Sequence, residues 1–480
     1  MYIFIHSIIY SNLSLLYFKN SLSFIFLLLL VQLSCKSGQL TTDQKIEQKT
    51  IEDSLDYALA KNETLKKIDF DALEAEDVFR YANKVYKKDV KSVQLYRQGD
   101  ALSFPVLFLS EQNKLELHFD ELNGSLTNYN YDIIHCNANW EPSRLNRQEY
   151  LDGFFNGFIE EYKYSFNTRI PFLHYSLDFP NQEIQFKKSG NYIIRVYDNN
   201  TPEDLILTRR FYVVQKRVDI ESNIHIATLA RHMDYKQEID FDIVLNNYQV
   251  QDPYSEIKVT IQKNRRHDNA ITDIKPLFIS SERLSYDYEQ ENLFDGGNEY
   301  RFFDAKDFRY QALNVDGIQL INGKTHLFVL AGEPRSYKRY FMQNDLNGLR
   351  LIKRNESRDI NREANYMVTH FKLNRESPLP NGDLYVFGEL SDWQFTDEFK
   401  MKYDESSSSY QLQVLLKQGY YNYQYVFLPK GSEIGDEAMI EGTHAEAEND
   451  YYFFVYHRKI GEIYDRLIGF DVKNSNNPQD

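Results

Sequence analysis

From Val90 onward apolar and polar residues alternate with period two. Leu115, Leu117 and Phe119 flank Glu116 and His118. Tyr192, Ile194 and Val196 repeat the pattern, as do Ile239, Phe241 and Ile243, then Ile257, Val259 and Ile261, then Leu412, Val414 and Leu416. Successive strand side chains point to opposite faces, so this alternation marks strands with one buried face. Asn123-Gly124, Ser189-Gly190, Gly296-Gly297, Asn322-Gly323, Asn347-Gly348 and Asn381-Gly382 punctuate it as turns. Strands at this spacing without long helical stretches predict an all-β chain of tandem antiparallel β-sandwich domains. Boundaries are expected near Lys216 and Glu363: a first sandwich over 90–215, a second over 216–353, a charged linker over 354–363 and a third sandwich over 364–480. No strict internal repeat is present.

Ahead of the strands, 35–89 is polar and charged and reads as a tether, with short helices expected at Asp53–Leu59 and Ala72–Val85. The first 34 residues carry one charged side chain, Lys19, and the apolar run Leu22–Val31 ends at Gln32-Leu33-Ser34-Cys35. This is the pattern of a signal peptide, 1–34, and its core is too short for an ordinary transmembrane helix. A start codon placed upstream of the native one would account for the apolar residues 2–18. Cys35 after Ser34 has the form of a lipid acceptor at the first mature position. Leu33 fits that pattern and Gln32 departs from it, so lipidation and simple cleavage both stand. Either way the protein is exported, and a multiply acylated Cys35 would hold it to a membrane.

A chain of 480 residues needs two to four domains. Its 37 Tyr and 33 Phe suit alternating strands. A formal charge of −16 argues against a nucleic-acid partner, whose phosphates demand Lys and Arg. With Cys35 used or removed, Cys136 has no partner in the chain and reads as a small buried hydrophobe inside the Tyr129–Cys136 run.

Several blocks stand out. Tyr129 to Trp140 leads into Glu141-Pro142-Ser143 and carries His135, Cys136, Asn137, Trp140 and Ser143. Ser165 to Asn181 carries Pro171, His174 and Tyr175. Ser189 to Asn200 follows, then Asn264 to Ala270 with Asn269, Phe294 to Asp304 with Gly296 and Gly297, and Glu441 to Arg458. In this order, from about Lys84 to the C-terminus, they resemble the plug-protein family of the bacterial type IX secretion system. The resemblance implies a periplasmic protein at the inner face of the outer membrane. It would close the mouth of a large outer-membrane translocon barrel by steric occlusion and recognition, without a reaction. No cofactor, metal or small-molecule substrate is implied, and the residues named are structural or interface positions.

The third domain carries a second resemblance. Gly388, Asp392 and Trp393, with Gly419, Tyr421, Tyr423 and Tyr425, are similar to the early-set immunoglobulin-like modules of glycogen-active enzymes, which implies an immunoglobulin-like sandwich. Trp393 and Tyr420, Tyr421, Tyr423 and Tyr425 form either a glycan-stacking platform or core packing; period two places three of the tyrosines on one face. A glycan-binding envelope protein is therefore the alternative function.

The search for chemistry finds little. Gly317 to Thr325 ends in Gly-Lys-Thr but has five residues between its glycines where a phosphate loop needs four, so Asn322-Gly323 is expected to be a hairpin turn. HExxH, paired CxxC, GxSxG and GxGxxG are absent. His135 and Cys136 are strand neighbours on opposite faces, which separates a base from its nucleophile. A glycosidase carboxylate pair has no motif among the 71 Asp and Glu. Asp295 to Glu299 is expected to be a glycine turn rather than a calcium loop, because alternating acidic ligands are missing. Ser165 to Asn181, with Arg169, Phe172 and Asp178 beside its named residues, is either a protein-contact loop or a long inter-strand connection.

Overall fold

A computed structural model describes residues 79–124, 126–153, 157–199, 201–310 and 312–476. The signal peptide 1–34, Cys35 and the helix expected at Asp53–Leu59 lie outside the described residues. The described end of the second expected helix is not helical. Lys84–Val85 pairs antiparallel with Leu207 and Thr208, and Tyr81 O and Ala82 O accept from Arg210 and Thr208. Backbone hydrogen bonding to a sheet edge outweighs the weak helix propensity of so short a segment. Strands make up 46% and helix 6%, so the chain is all-β. Among the described residues no helix is long and apolar enough to cross a membrane.

In the first sandwich, one sheet runs Lys84–Val85, Leu205–Val214, Gly190–Asp198, Tyr129–Cys136, Gly157–Phe158, with Val106–Phe108 parallel to Leu205–Val214. The facing sheet runs Val90–Arg97, Leu115–Glu121, Leu173–Phe179, Glu161–Tyr164. Leu115, Leu117 and Phe119 from one and Ile133, Tyr192 and Ile194 from the other share one core, as the period-two reading requires.

The second and third sandwiches depart from the expected chain order. Asp219–Ile226, Lys236–Val244, Arg283–Tyr286 and Phe278–Ile279 form one sheet of the second. Its facing sheet runs Ile271–Thr272, Ile257–Lys263, Asp450–His457, Arg466–Asn474. The C-terminal hairpin therefore completes the second sandwich, and Tyr451, Phe453 and Val455 join Ile257, Val259 and Ile261 in its core. The third sandwich takes in Arg301–Asp304, Lys324–Val329 and Arg350–Ile352, which pair with strands between Tyr366 and Pro429, and Val315–Ile321, which pairs with Lys324–Val329. It is an insertion in the second. Hydrogen bonding thus crosses both boundaries expected at 353 and 364, and the charged stretch 354–363 connects two strands of one sandwich. Alternation identifies a strand; it does not say which strand it pairs with.

Asn322-Gly323 is the expected hairpin turn. Both residues have positive φ, 49° and 77°, and Ile321 pairs with Lys324.

Candidate functional site

The Tyr129–Cys136 strand runs into a turn in which Trp140 adopts φ 65° and its N–H donates to Asn137 O at 2.9 Å. Ser143 N–H returns to His135 O at 2.9 Å. The Arg210 guanidinium lies 4.2 Å from the Trp140 ring, and Tyr212 meets that ring edge-on. Asn137 Oδ1 accepts from Asp465 N at 3.2 Å, and Asp465 Oδ2 accepts from Ala138 N at 3.0 Å. This signature turn therefore fastens the first sandwich to the C-terminal hairpin. Val106, Tyr212 and Val214 pack on Tyr452, Phe454 and Tyr456 beside it. Cys136 is buried and unbridged, and burial pushes its thiol up to about 12, which removes it from thiolate chemistry.

Pro171 is exposed, whereas His174 and Tyr175 are buried. The preceding connection is docked inward: Phe166 N donates to Arg362 O at 2.9 Å and Arg169 N to Asn365 Oδ1 at 3.0 Å. Only 165–172 is thus an inter-strand connection, docked against the third sandwich, whereas Leu173–Phe179, the rest of the block up to Phe179, is itself a paired strand. At that junction Asp120 accepts from His174 Nδ1 at 2.7 Å, Lys417 Nζ at 2.6 Å and Tyr366 O–H at 2.6 Å. His118 lies 3.1 Å from His174 on the far side. Burial raises the Asp120 carboxyl, but Lys417 and His174 outweigh it and hold the group below its usual range.

Two histidines here are held neutral. Burial, with His174 adding to it, pushes His118 down to about 3, and burial pushes His135 to about 4. Folded values below the unfolded one mean their contribution is complete above about pH 6.5 and is lost as pH falls toward 4. Each costs about 1.4 kcal/mol per pH unit in that window. Between pH 7.5 and pH 5 the wild type is expected to lose roughly 4 kcal/mol more stability than a variant carrying His118→Gln and His135→Gln; the same pH dependence of the denaturant midpoint in both would refute the assignment.

The remaining signature blocks meet at a third junction. Arg266 is fully buried. It donates to both oxygens of Asp268, at 3.0 and 2.7 Å, and to Glu437. Lys263 Nζ donates to Glu437 Oε1 at 2.7 Å and to Asp295 O at 2.6 Å. A cation already bonded to the Asp295–Glu299 turn is repulsive to calcium, so this is a packed glycine turn. A Cβ on Gly296 would lie 2.0 Å from His444 O, and Gly297 has φ 74°. Asn269 is partly buried beside this cluster, its Oδ1 without a hydrogen-bond partner.

Trp393 is 8% exposed, packed edge-on against Phe387 and Tyr300, and its ring leaves only a glycine's room at Gly348. Tyr421, Tyr423 and Tyr425 are buried in the third core. None of these offers a flat face to a sugar.

Sequence reasoning missed two features. His225, Glu238 and Asp240 lie within 4.8 Å of one another across paired strands. His225 Nε2 is 2.8 Å from Asp240 and Glu238 accepts from Thr228, so the group is satisfied as an ion-pair cluster. The second is the terminal strand Glu161–Tyr164, paired on one side with Leu173–Phe179. Tyr162 and Tyr164 on it, and Phe166 two residues past its end, stand 42%, 56% and 60% exposed. Its Tyr-x-Tyr spacing is legible, but the same spacing is buried at Tyr421–Tyr425; only position in the sheet distinguishes them.

A family model described as the type 9 secretion system plug protein 1st domain matches residues 90–215, the span of the first sandwich. The crystal structure of a hypothetical protein from Parabacteroides merdae ATCC 43184 is 34% identical and superposes with a TM-score of 0.80, covering 83% of this chain and 100% of that one. A putative membrane anchored protein from Corynebacterium diphtheriae is 10% identical over 81% of this chain and 89% of its own, and its TM-score of 0.13 carries no argument. No curated protein matches.

Proposed function

The chain belongs to the type 9 secretion system plug protein family, and from that premise we propose that it is a non-enzymatic plug subunit occluding the periplasmic mouth of the outer-membrane translocon barrel by protein–protein binding. The family match over the first sandwich carries this reading. The architecture supports it: three sandwiches locked by buried ion pairs and aromatic cores form a stopper that loses little freedom on docking. The export leader supports an envelope location, with Cys35 as a lipid anchor at the inner face of the outer membrane.

The contact edge in this reading is the terminal strand with Tyr162, Tyr164 and Phe166. Exposed aromatics supply contact area at low entropic cost. The acidic surface would complement a basic rim on the barrel. A tagged full-length chain is expected to co-purify with a large outer-membrane barrel in near-equal amount. Tyr164→Asp with Phe166→Asp is expected to cut that association about 30-fold or more, while the protein's melting temperature is unchanged. Recovery of the wild-type protein alone would overturn the plug role; undiminished association of the double variant would move the contact elsewhere. Retention on soluble polysaccharide would instead favour the glycan reading, against the burial of Trp393.

A further inference from the structure

A cavity of about 70 Å³ lies where the three sandwiches meet. Arg209 and Arg210 reach it from the first, Arg265 from the second and Arg350 from the third, against the carboxylates Glu389 and Asp392. Four arginines line the cavity with two carboxylates, and Arg210 and Arg265 hydrogen-bond only to neutral partners, Tyr81 O and Leu102 O with the Tyr452 hydroxyl, which leaves positive charge in excess. His267 adds no compensating group, since burial and then Arg210 push it down to about 3. Arg209 Nη2 holds Asp392 at 2.7 Å, and Arg350 Nη2 is committed to Val93 O at 2.7 Å. Arg350 Nε, on a side chain buried to more than nine-tenths, has no partner. A buried guanidinium N–H without an acceptor is costly and rare.

We propose that this cavity binds one small oxyanion, a carboxylate or a tetrahedral phosphate or sulfate group, held by Arg350 and the neighbouring guanidiniums, and that the bound anion clamps the three sandwiches together. Guanidinium forks match planar and tetrahedral oxyanions. A space of this size holds more than one water and accepts such a group. Burial and the nearby Arg350 outweigh Asp392 and pull the Arg209 guanidinium below its usual range.

The test is titration calorimetry and thermal melting of the purified full-length chain with sulfate, phosphate or acetate replacing chloride at constant ionic strength. Saturable binding with a rise in melting temperature is expected. Arg350→Gln is expected to weaken it about tenfold or more. Asp392→Asn removes a competing charge, keeps an acceptor for Arg209 and suits the left-handed φ of 53° at that position; it is expected to tighten binding, a gain that misfolding cannot imitate. Binding of phosphate or sulfate without acetate identifies a free tetrahedral anion. Binding of acetate, and of a peptide as its free acid but not its amide, identifies a chain terminus. No saturable response beyond chloride, or the same affinity in wild type and both variants, would overturn the proposal.

Discussion

Glu441→Ala is expected to lower stability by about 3–5 kcal/mol, the cost of removing one partner from a buried ion pair. Glu441 is fully buried and serves three donors. Arg301 Nε reaches both its oxygens at 3.0 and 3.1 Å, Arg335 Nε reaches Oε2 at 2.5 Å, and Tyr425 N–H reaches Oε1 at 2.8 Å. Alanine would leave two guanidiniums and a backbone amide in the interior without their acceptor. Burial raises this carboxyl, but Arg301 and Arg335 outweigh it and keep the group below the usual carboxylate range. A depressed folded value means the contribution is present above about pH 4.3 and is lost as pH falls below it. The gap between wild type and variant should therefore be full at pH 7 and should close in acid. Glu441→Gln retains one oxygen for Tyr425 N–H and should fall between the two. Denaturant midpoints for the three proteins check this, and a variant within about 0.5 kcal/mol of wild type at pH 7 would show the cluster to be energetically idle.

Truncation after Thr443 is expected to abolish cooperative folding of the second sandwich, although the cut lies almost 150 residues beyond Asp295, the last residue of that sandwich's first part. The cut removes Asp450–His457 and Arg466–Asn474, and with them the partner of the central Ile257–Lys263 strand. Tyr451, Phe453 and Val455 leave one core, at about 1.5–3 kcal/mol each. Tyr452, Phe454 and Tyr456 leave the contact with the first sandwich on the opposite face. One core and one junction are lost with one hairpin, which exceeds what a marginally stable protein can absorb. Limited proteolysis around Lys258 and Lys275 reads this directly: rapid cleavage in the truncated chain and protection in the full one. Equal protection in both would mean that the second sandwich folds without its last two strands.

Much of the local structure was legible before any coordinates. Leu115, Leu117 and Phe119 face inward because a pleated strand alternates, and Asn322-Gly323 turns because both residues tolerate positive φ. Cys136 was readable as buried from the apolar run around it. The signature blocks were legible as blocks, but their roles were not. His174 reads as a candidate contact residue; its partner Asp120 lies 54 residues away and Lys417 a further 243 beyond His174. Asn264 to Ala270, Phe294 to Asp304 and Glu441 to Arg458 are separate words in the chain that meet in space, where Asn264 bonds Asn449 and Arg301 bonds Glu441.

The ordered blocks carried the family resemblance. By itself, then, the sequence also determined the class of fold, the positions of most strands and turns and the inward faces, which depend on periods of two to four residues that local sterics and solvent enforce. The tertiary structure alone decided that the third sandwich interrupts the second, that Tyr421 is core while Tyr164 is surface, and that four arginines from three sandwiches line one cavity. Antiparallel pairing accepts any strand of compatible register, so the choice of partner is settled by total burial across the body and leaves no mark in the local pattern.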